Sequence, residues 1–255
     1  MEMGISIDLP QEDVIIEAID VHKHYDTGKE VVKALQGVTL RIQRKEVVAI
    51  MGPSGCGKTT LLNCLSGLDR VTTGSIRIAN QDIRHLSDRQ LTLFRAREMG
   101  FVFQTYNLLP VLTGLENVEL PLLVSGVSSR VARTRALESI EQVGLRDWAH
   151  HRPAEMSGGQ RQRFAIARAL ATTPSLVWAD EPTGALDSTT SQEIIDLMLT
   201  LNAELGLTFV WVTHALDIAR QASRVITMSD GLIREDVLVE ALSKVGTFEE
   251  KGAQG

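Results

Sequence analysis

The stretch that most restricts this chain is Gly52-Pro53-Ser54-Gly55-Cys56-Gly57-Lys58-Thr59, in which glycines bracket a four-residue gap and Lys-Thr closes the run. The apolar run Val47 to Met51 precedes it and a helical pattern, Thr60 to Leu65, follows. A strand that turns sharply into a helix aims backbone N–H groups and the positive end of the helix dipole at one spot, a seat for phosphate. Lys58 then meets the β and γ phosphates of a nucleotide, and the Thr59 hydroxyl is a magnesium ligand. The expected nucleotide-binding set is Gly52, Pro53, Ser54, Gly55, Cys56, Gly57, Lys58, Thr59 and Thr60.

Such a seat belongs to an α/β fold, and the other apolar runs agree. Val47 to Ile50, Leu176 to Ala179 and Phe209 to Val212 are short and rich in β-branched residues, as buried strands of a parallel sheet are. Between them, Ser87 to Gln90 has capping-box spacing and opens one helix; a second is predicted from Ser129 to Val143. Punctuation at Pro110, Pro121 and Pro153 brackets a mainly helical insertion over Thr105 to Glu155. No repeat is found, so the chain reads as one unit, and residues 245–255 hold little that a core would bury.

No apolar run approaches the roughly 18 to 20 residues of a bilayer span. Any membrane role therefore falls to a partner. The start of the chain is acidic (Glu2, Asp8, Glu12, Asp13) rather than basic then apolar, and two cysteines allow neither a disulfide framework nor a zinc site. Both features point to the cytoplasm. A net charge of -6 without a long basic run argues against a general nucleic-acid binder. Cys56, inside the loop beside Lys58, is expected to be the reactive cysteine. His22, His24, His85, His150 and His151 fit no motif and are assigned to solvated surface.

Two further constellations carry chemistry. Leu176 to Glu181 is an apolar strand ending in two carboxylates; Asp180 suits the outer coordination of magnesium beside Thr59, and Glu181 suits a general base that polarises water. Ser157-Gly158-Gly159-Gln160 caps a long helical pattern, and its glycines bare the backbone donors at the helix start, a second place that favours phosphate.

Ser157 to Gln160, standing between the phosphate loop and the acidic strand, resembles the signature of ABC ATPases. Other motifs of that family follow in order: Gln104 resembles the Q-loop residue, Ala185-Leu186-Asp187 the D-loop, His214 the switch histidine, and Tyr25 the aromatic residue that stacks on adenine. Met156 stands where that family usually has leucine, and Gly184 precedes Ala185 where serine is common. The resemblance implies a P-loop NTPase (RecA-like) core with an antiparallel β subdomain and an inserted α-helical subdomain. On that basis 1–255 is one domain: a core over 14–104 and 165–235, a helical subdomain with the signature over 105–164, and a tail over 236–255.

The same resemblance implies catalytic roles for Glu181, His214 and Gln104, and Gln104 as a magnesium ligand with Thr59 and Asp180. It further implies a head-to-tail dimer around two Mg-ATP, in which Ser157, Gly158 and Gly159 of one subunit close over ATP held by Lys58 of the other. Gly67 to Arg70, Asn107 to Pro110, Leu115 to Leu122 and Thr183 to Ser188 resemble the group that includes lipoprotein-release, macrolide-export and cell-division ATPases. The expected partner is a separate membrane permease, with the ATPase held on the inner face of the cell membrane. The alternative is a force-transmitting complex acting in cell division or on the cell wall. A docking surface for the permease is expected at Tyr106, Leu108, Leu109, Val111 and Leu112, apolar side chains in what reads as a surface connection.

Overall fold

In the computed structural model, which describes residues 13–28 and 30–239, the chain opens with two antiparallel strands, β1 (Val14–Asp26) and β2 (Val31–Gln43). β3 (Val47–Met51) then runs into the glycine loop and α1 (Lys58–Leu65). β4 (Thr73–Ile78) and β5 (Gln81–Asp82) return to the first sheet, giving it the order β2-β1-β4-β5. α2 (Asp88–Glu98) follows, opened by the Ser87–Gln90 capping box that the spacing predicts.

The remainder builds the second sheet and its cover. β6 (Met99–Phe103), β7 (Leu176–Asp180) and β8 (Thr208–Val212) run parallel to β3. Between β6 and β7 lie α3 (Gly114–Val124), α4 (Ser129–Gln142) and α5 (Gly158–Leu170), the predicted helical insertion and its signature helix. α6 (Ser188–Leu205) and α7 (Leu216–Ala219) precede and follow β8. β9 (Arg224–Ser229) pairs parallel with β3, and β10 (Leu232–Leu238) closes the edge antiparallel, so the order is β10-β9-β3-β8-β7-β6. The core therefore extends past residue 235, where the sequence reading ended it. Residues 245–255 lie outside the described residues.

The continuous apolar strands have a simple cause: both faces of the parallel sheet are buried. Val48 and Ile50 of β3, Leu176 and Trp178 of β7, and Val210 and Val212 of β8 point into one cluster with α1 and the antiparallel sheet. Their neighbours Val47, Ala49, Val177, Ala179, Phe209 and Trp211 point into the other, beneath the helical insertion and α6. Side chains of a strand alternate between faces, so each strand supplies both cores.

Parallel pairing also sets the strand ends level. Ile50 sits opposite Val212, Val212 opposite Asp180, and Asp180 opposite Phe103. The residues that leave these strands, from Gly52, His214, Glu181 and Gln104 onward, emerge along one edge of the sheet, where open α/β folds place their ligands.

Arg224 locks the far edge. It is 2% exposed; Nε and Nη2 donate to the two Asp236 carboxylate oxygens at 2.5 Å each, and Nη1 donates to the Arg41 carbonyl. One guanidinium thus joins β9, β10 and β2. Arg224→Ala leaves Asp236 and the nearby Glu46 without their cation, and is expected to cost about 3 kcal/mol. Urea denaturation should show a lower midpoint; an unchanged midpoint would mean that the pairing contributes nothing net.

Candidate active site

The glycine loop takes its shape from close packing. Gly52 has φ 150°, and a β-carbon there would lie 2.2 Å from the Met228 carbonyl and 2.7 Å from Cys56 Sγ, so no other residue fits. Gly57, in left-handed geometry at φ 105°, opens α1, and Lys58 is its first residue. Lys58 Nζ donates to the carbonyls of Gly52 and Pro53, at 2.7 and 2.9 Å. The loop is tied from behind by Gly231 N–H, which donates to the Cys56 carbonyl.

Above the loop lies a cleft of about 710 Å³. It brings together Tyr25, Ser54, Gly55, Gly57, Lys58, Thr59, Thr60, Glu181 and His214 of the predicted set. Gly52, Pro53 and Cys56 do not line it: Cys56 is buried beneath the loop, and Pro53 is exposed. Cys56 is 6% exposed and belongs to the apolar core, surroundings that weigh against the expectation of a reactive thiol.

Glu181 follows β7 with a left-handed backbone, φ 47°, a conformation that costs a non-glycine residue energy and is held by its surroundings. Its Oε1 lies 2.7 Å from His214 Nδ1, and both side chains face the cleft. Asp180, one residue earlier, is half-buried. Burial, and then the neighbouring Glu181 charge, push its carboxyl above the usual carboxylate range, while Lys58 pulls the other way.

The other predicted residues stand apart from the cleft. Gln104 is exposed, with its side chain against Gly184, where a β-carbon would come within 2.7 Å of Nε2. Ser157 caps α5 as expected: its hydroxyl accepts from Gln160 N–H at 3.2 Å and Gln160 Oε1 accepts from Ser157 N–H at 2.9 Å. Gly158 lies against Leu186 and Gly159 against Thr190. Asp187 caps α6 by accepting from Thr190 N–H and Oγ1, and those bonds hold its carboxyl below the usual range. Thus one chain presents a cleft and, separately, an exposed helix start.

Several residues escaped the sequence reading. Val32, Lys33, Ala34 and Gln36 of β2 line the cleft with Asp230 and Gly231, and Gln36 Nε2 donates to the Asp230 carbonyl. Asp-Gly between two strands is a hairpin signal that would have found that turn. Tyr106 and Asn107 enter the sequence reading for other reasons, but nothing in the sequence marks them as left-handed or shows that the Arg168 guanidinium holds their carbonyls.

Of the expected docking residues, Tyr106 lies under Arg161, 5.0 Å from its ring centroid, and Leu108 packs against the core. Leu109 and Val111 are the exposed pair, at 44% and 73%. The buried Asn117 side chain bonds Leu109 N–H and the carbonyls of Leu109, Leu112 and Thr113, which gives this apolar segment a fixed course. His151 is not a surface residue as expected. It is half-buried against Trp148, and its Nδ1 has no partner.

Among the described residues no cluster of three or more His, Cys, Asp or Glu suits a metal, and no helix is long and apolar enough to cross a membrane. Comparison with known proteins places this geometry. Residues 35–184 match the model of the ABC transporter family. An uncharacterised ABC transporter ATP-binding protein of Thermotoga maritima is 49% identical over 86% of this chain and 93% of its own. The lipoprotein-releasing system ATP-binding protein LolD of Pseudoalteromonas translucida is 44% identical, over 86% and 94%. Among solved structures, a post-hydrolysis dimer of the ATP-binding cassette MJ0796 bound to ADP and Pi superposes with a TM-score of 0.80 at 45% identity, covering 88% of this chain and 98% of that one.

Asp180 supplies a test of the site's electrostatics. Its folded-state pKa lies above the unfolded value, so ionisation costs stability: the cost is absent below the unfolded pKa and complete above the folded one. Asp180→Asn, which cannot ionise, should therefore melt higher than the wild type at pH 7. Its advantage should shrink as pH falls into the carboxylate range. Thermal melts of both proteins across that range check it, and a pH-independent difference would remove the electrostatic cause.

Proposed function

This chain belongs to the ABC transporter ATP-binding family and is an ATPase, and from that premise we propose that it is the motor of a membrane complex. In this reading it binds Mg-ATP between two head-to-tail copies and drives a separate permease of the lipoprotein-release or macrolide-export kind, on the inner face of the cell membrane. The observation that carries the reading is the carboxylate of Glu181, facing the same cleft as Lys58 with His214 at 2.7 Å. A base, a phosphate-seeking lysine and a histidine share one opening.

The roles follow from position. Lys58 and the N–H groups from Ser54 to Thr60 hold the phosphates, and the Tyr25 ring stacks on adenine. Glu181 accepts the proton of the attacking water, and His214 orients Glu181 and reaches toward the γ-phosphate. Thr59 and the half-buried Asp180 offer oxygen donors that fit magnesium, and Asp180 gains from a cation beside it, whereas Gln104, with its side chain against Gly184, would have to turn toward the cleft to join them. When bound, magnesium neutralises charge on the phosphates.

The dimer reading rests on separation within the chain. The start of α5 is exposed at Ser157 and lies outside the cleft, so a second copy can bring Ser157, Gly158, Gly159 and Gln160 to the nucleotide held by the first. Asp187, beside that start, belongs to the same face. Gln104 leads from β6 into the helical insertion over 105–164 and links the cleft to the permease. The exposed Leu109 and Val111, near a groove lined by Phe101, Phe103, Asn107 and Pro121, are the proposed contact.

Glu181→Gln should keep ATP binding while turnover falls by about 10²–10⁴-fold, the usual worth of a positioned base. In ATP this variant should run as a dimer on size exclusion; a monomer would remove the sandwich. Val111→Asp with Leu109→Asp should release the protein from membranes and leave ATP binding by the free subunit intact. Co-sedimentation at the wild-type level would place the contact elsewhere.

A further inference from the structure

Tyr25 lines the cleft from the end of β1, 39% exposed, and a side chain so open would ordinarily sample several orientations. Here it is fastened from two directions. Its hydroxyl donates to Asp69 Oδ2 at 2.7 Å, and Lys23 Nζ lies 4.7 Å from the ring centroid, over one face. Lys23 Nζ also donates to the other Asp69 oxygen at 2.7 Å and to the Arg70 carbonyl at 2.8 Å. Asp69 is itself held, since its Oδ1 accepts from the Arg70 N–H at 2.7 Å. Every acceptor site that Asp69 uses is thus directed at the ring, at the lysine beneath the ring, or at its own turn.

We propose that Asp69 and Lys23 are positioning residues for the nucleotide base: the Asp69 carboxylate fixes the Tyr25 ring by its hydroxyl, and Lys23 covers one face so that the base stacks on the other. The inference rests on the reading of Tyr25 as the adenine platform. A stacking surface that is already oriented loses less freedom when the base arrives, and the gain appears as affinity for the base and not for the phosphates. An ammonium over one face is also attracted by the negative face of the ring quadrupole, as in cation–π contacts, and keeps water from that side.

The electrostatics agree with a lasting tie. Burial works against ionisation of Asp69, yet the bonds from Lys23, Tyr25 and the Arg70 N–H hold its carboxyl below the usual range. Tyr25 is pushed up to about 12 by partial burial and by the bond to Asp69. The phenol therefore stays a donor, and Asp69 an acceptor, throughout the neutral range. Asp69 lies in the turn after α1, so the base platform is anchored to the same helix whose first turn carries Lys58 and Thr59. Base and phosphate seats share one rigid support.

Calorimetric titration of the full chain with ATP and, separately, with inorganic triphosphate tests this. Triphosphate has the charge and no base. Tyr25→Ala should raise the Kd for ATP about tenfold and leave triphosphate unchanged; if ATP binding is untouched, the stacking reading itself fails. Asp69→Ala and Tyr25→Phe should each raise the Kd for ATP about threefold, again without effect on triphosphate, and the double variant should be no weaker than the worse single one. If Tyr25→Ala weakens ATP but Asp69→Ala does not, stacking stands and the positioning role falls. Equal loss for ATP and triphosphate in Asp69→Ala would mark it as a support of the loop and overturn the proposal. Lys23→Gln, which keeps the hydrogen bond and removes the charge, should fall between wild type and Asp69→Ala; a loss equal for both ligands there would count the same way.

Discussion

Everything in this molecule depends on the level ends of four parallel strands. The backbone ladder that sets Ile50 beside Val212, and Val212 beside Asp180, delivers a phosphate loop, a carboxylate pair and a histidine to one edge. The ladder is held by burial on both faces, so the geometry of the cleft is underwritten by Trp178, Trp211 and Phe209, none of which touches it. Its cost is visible too: the indole N–H groups of both tryptophans are buried without a partner, a tolerated loss for filling two cores at once.

How much could be read in advance follows from which interactions are local. The glycine loop, the capping boxes at Ser87 and Ser157, and the acidic end of β7 are written in consecutive residues, and they stand where expected. Contacts between distant segments were opaque. Nothing near Arg168 announces that it fastens Tyr106 and Asn107, sixty-odd residues earlier, and nothing in β2 announces the wall of the cleft. Cys56 shows the limit of reasoning from neighbours in sequence. Beside a lysine and a helix start it has the surroundings of a reactive thiol, but the turn that Gly52 permits tucks the sulfur inward. His151 fails likewise, because Trp148 three residues before it folds back over the ring.

Stability and chemistry pull against each other at the end of β7. Asp180 is kept partly out of water beside another carboxylate, and Glu181 sits in a left-handed backbone. A chain selected for stability alone would have neither. Their survival is a sign that the surrounding sheet over-determines this corner, as strained functional sites require.

The Arg168 clamp gives α5 a second character. Ser157 caps one end of the helix, and Arg168 holds the left-handed Tyr106–Asn107 turn eleven residues later, about 16 Å along the axis at the usual rise. A helix is stiff over that length. The exposed helix start and the Tyr106–Asn107 turn are therefore held at one separation and one mutual angle. The spacing and angular phase of cap and clamp are fixed by the number of residues between a serine and an arginine, so adding one residue between them would change both.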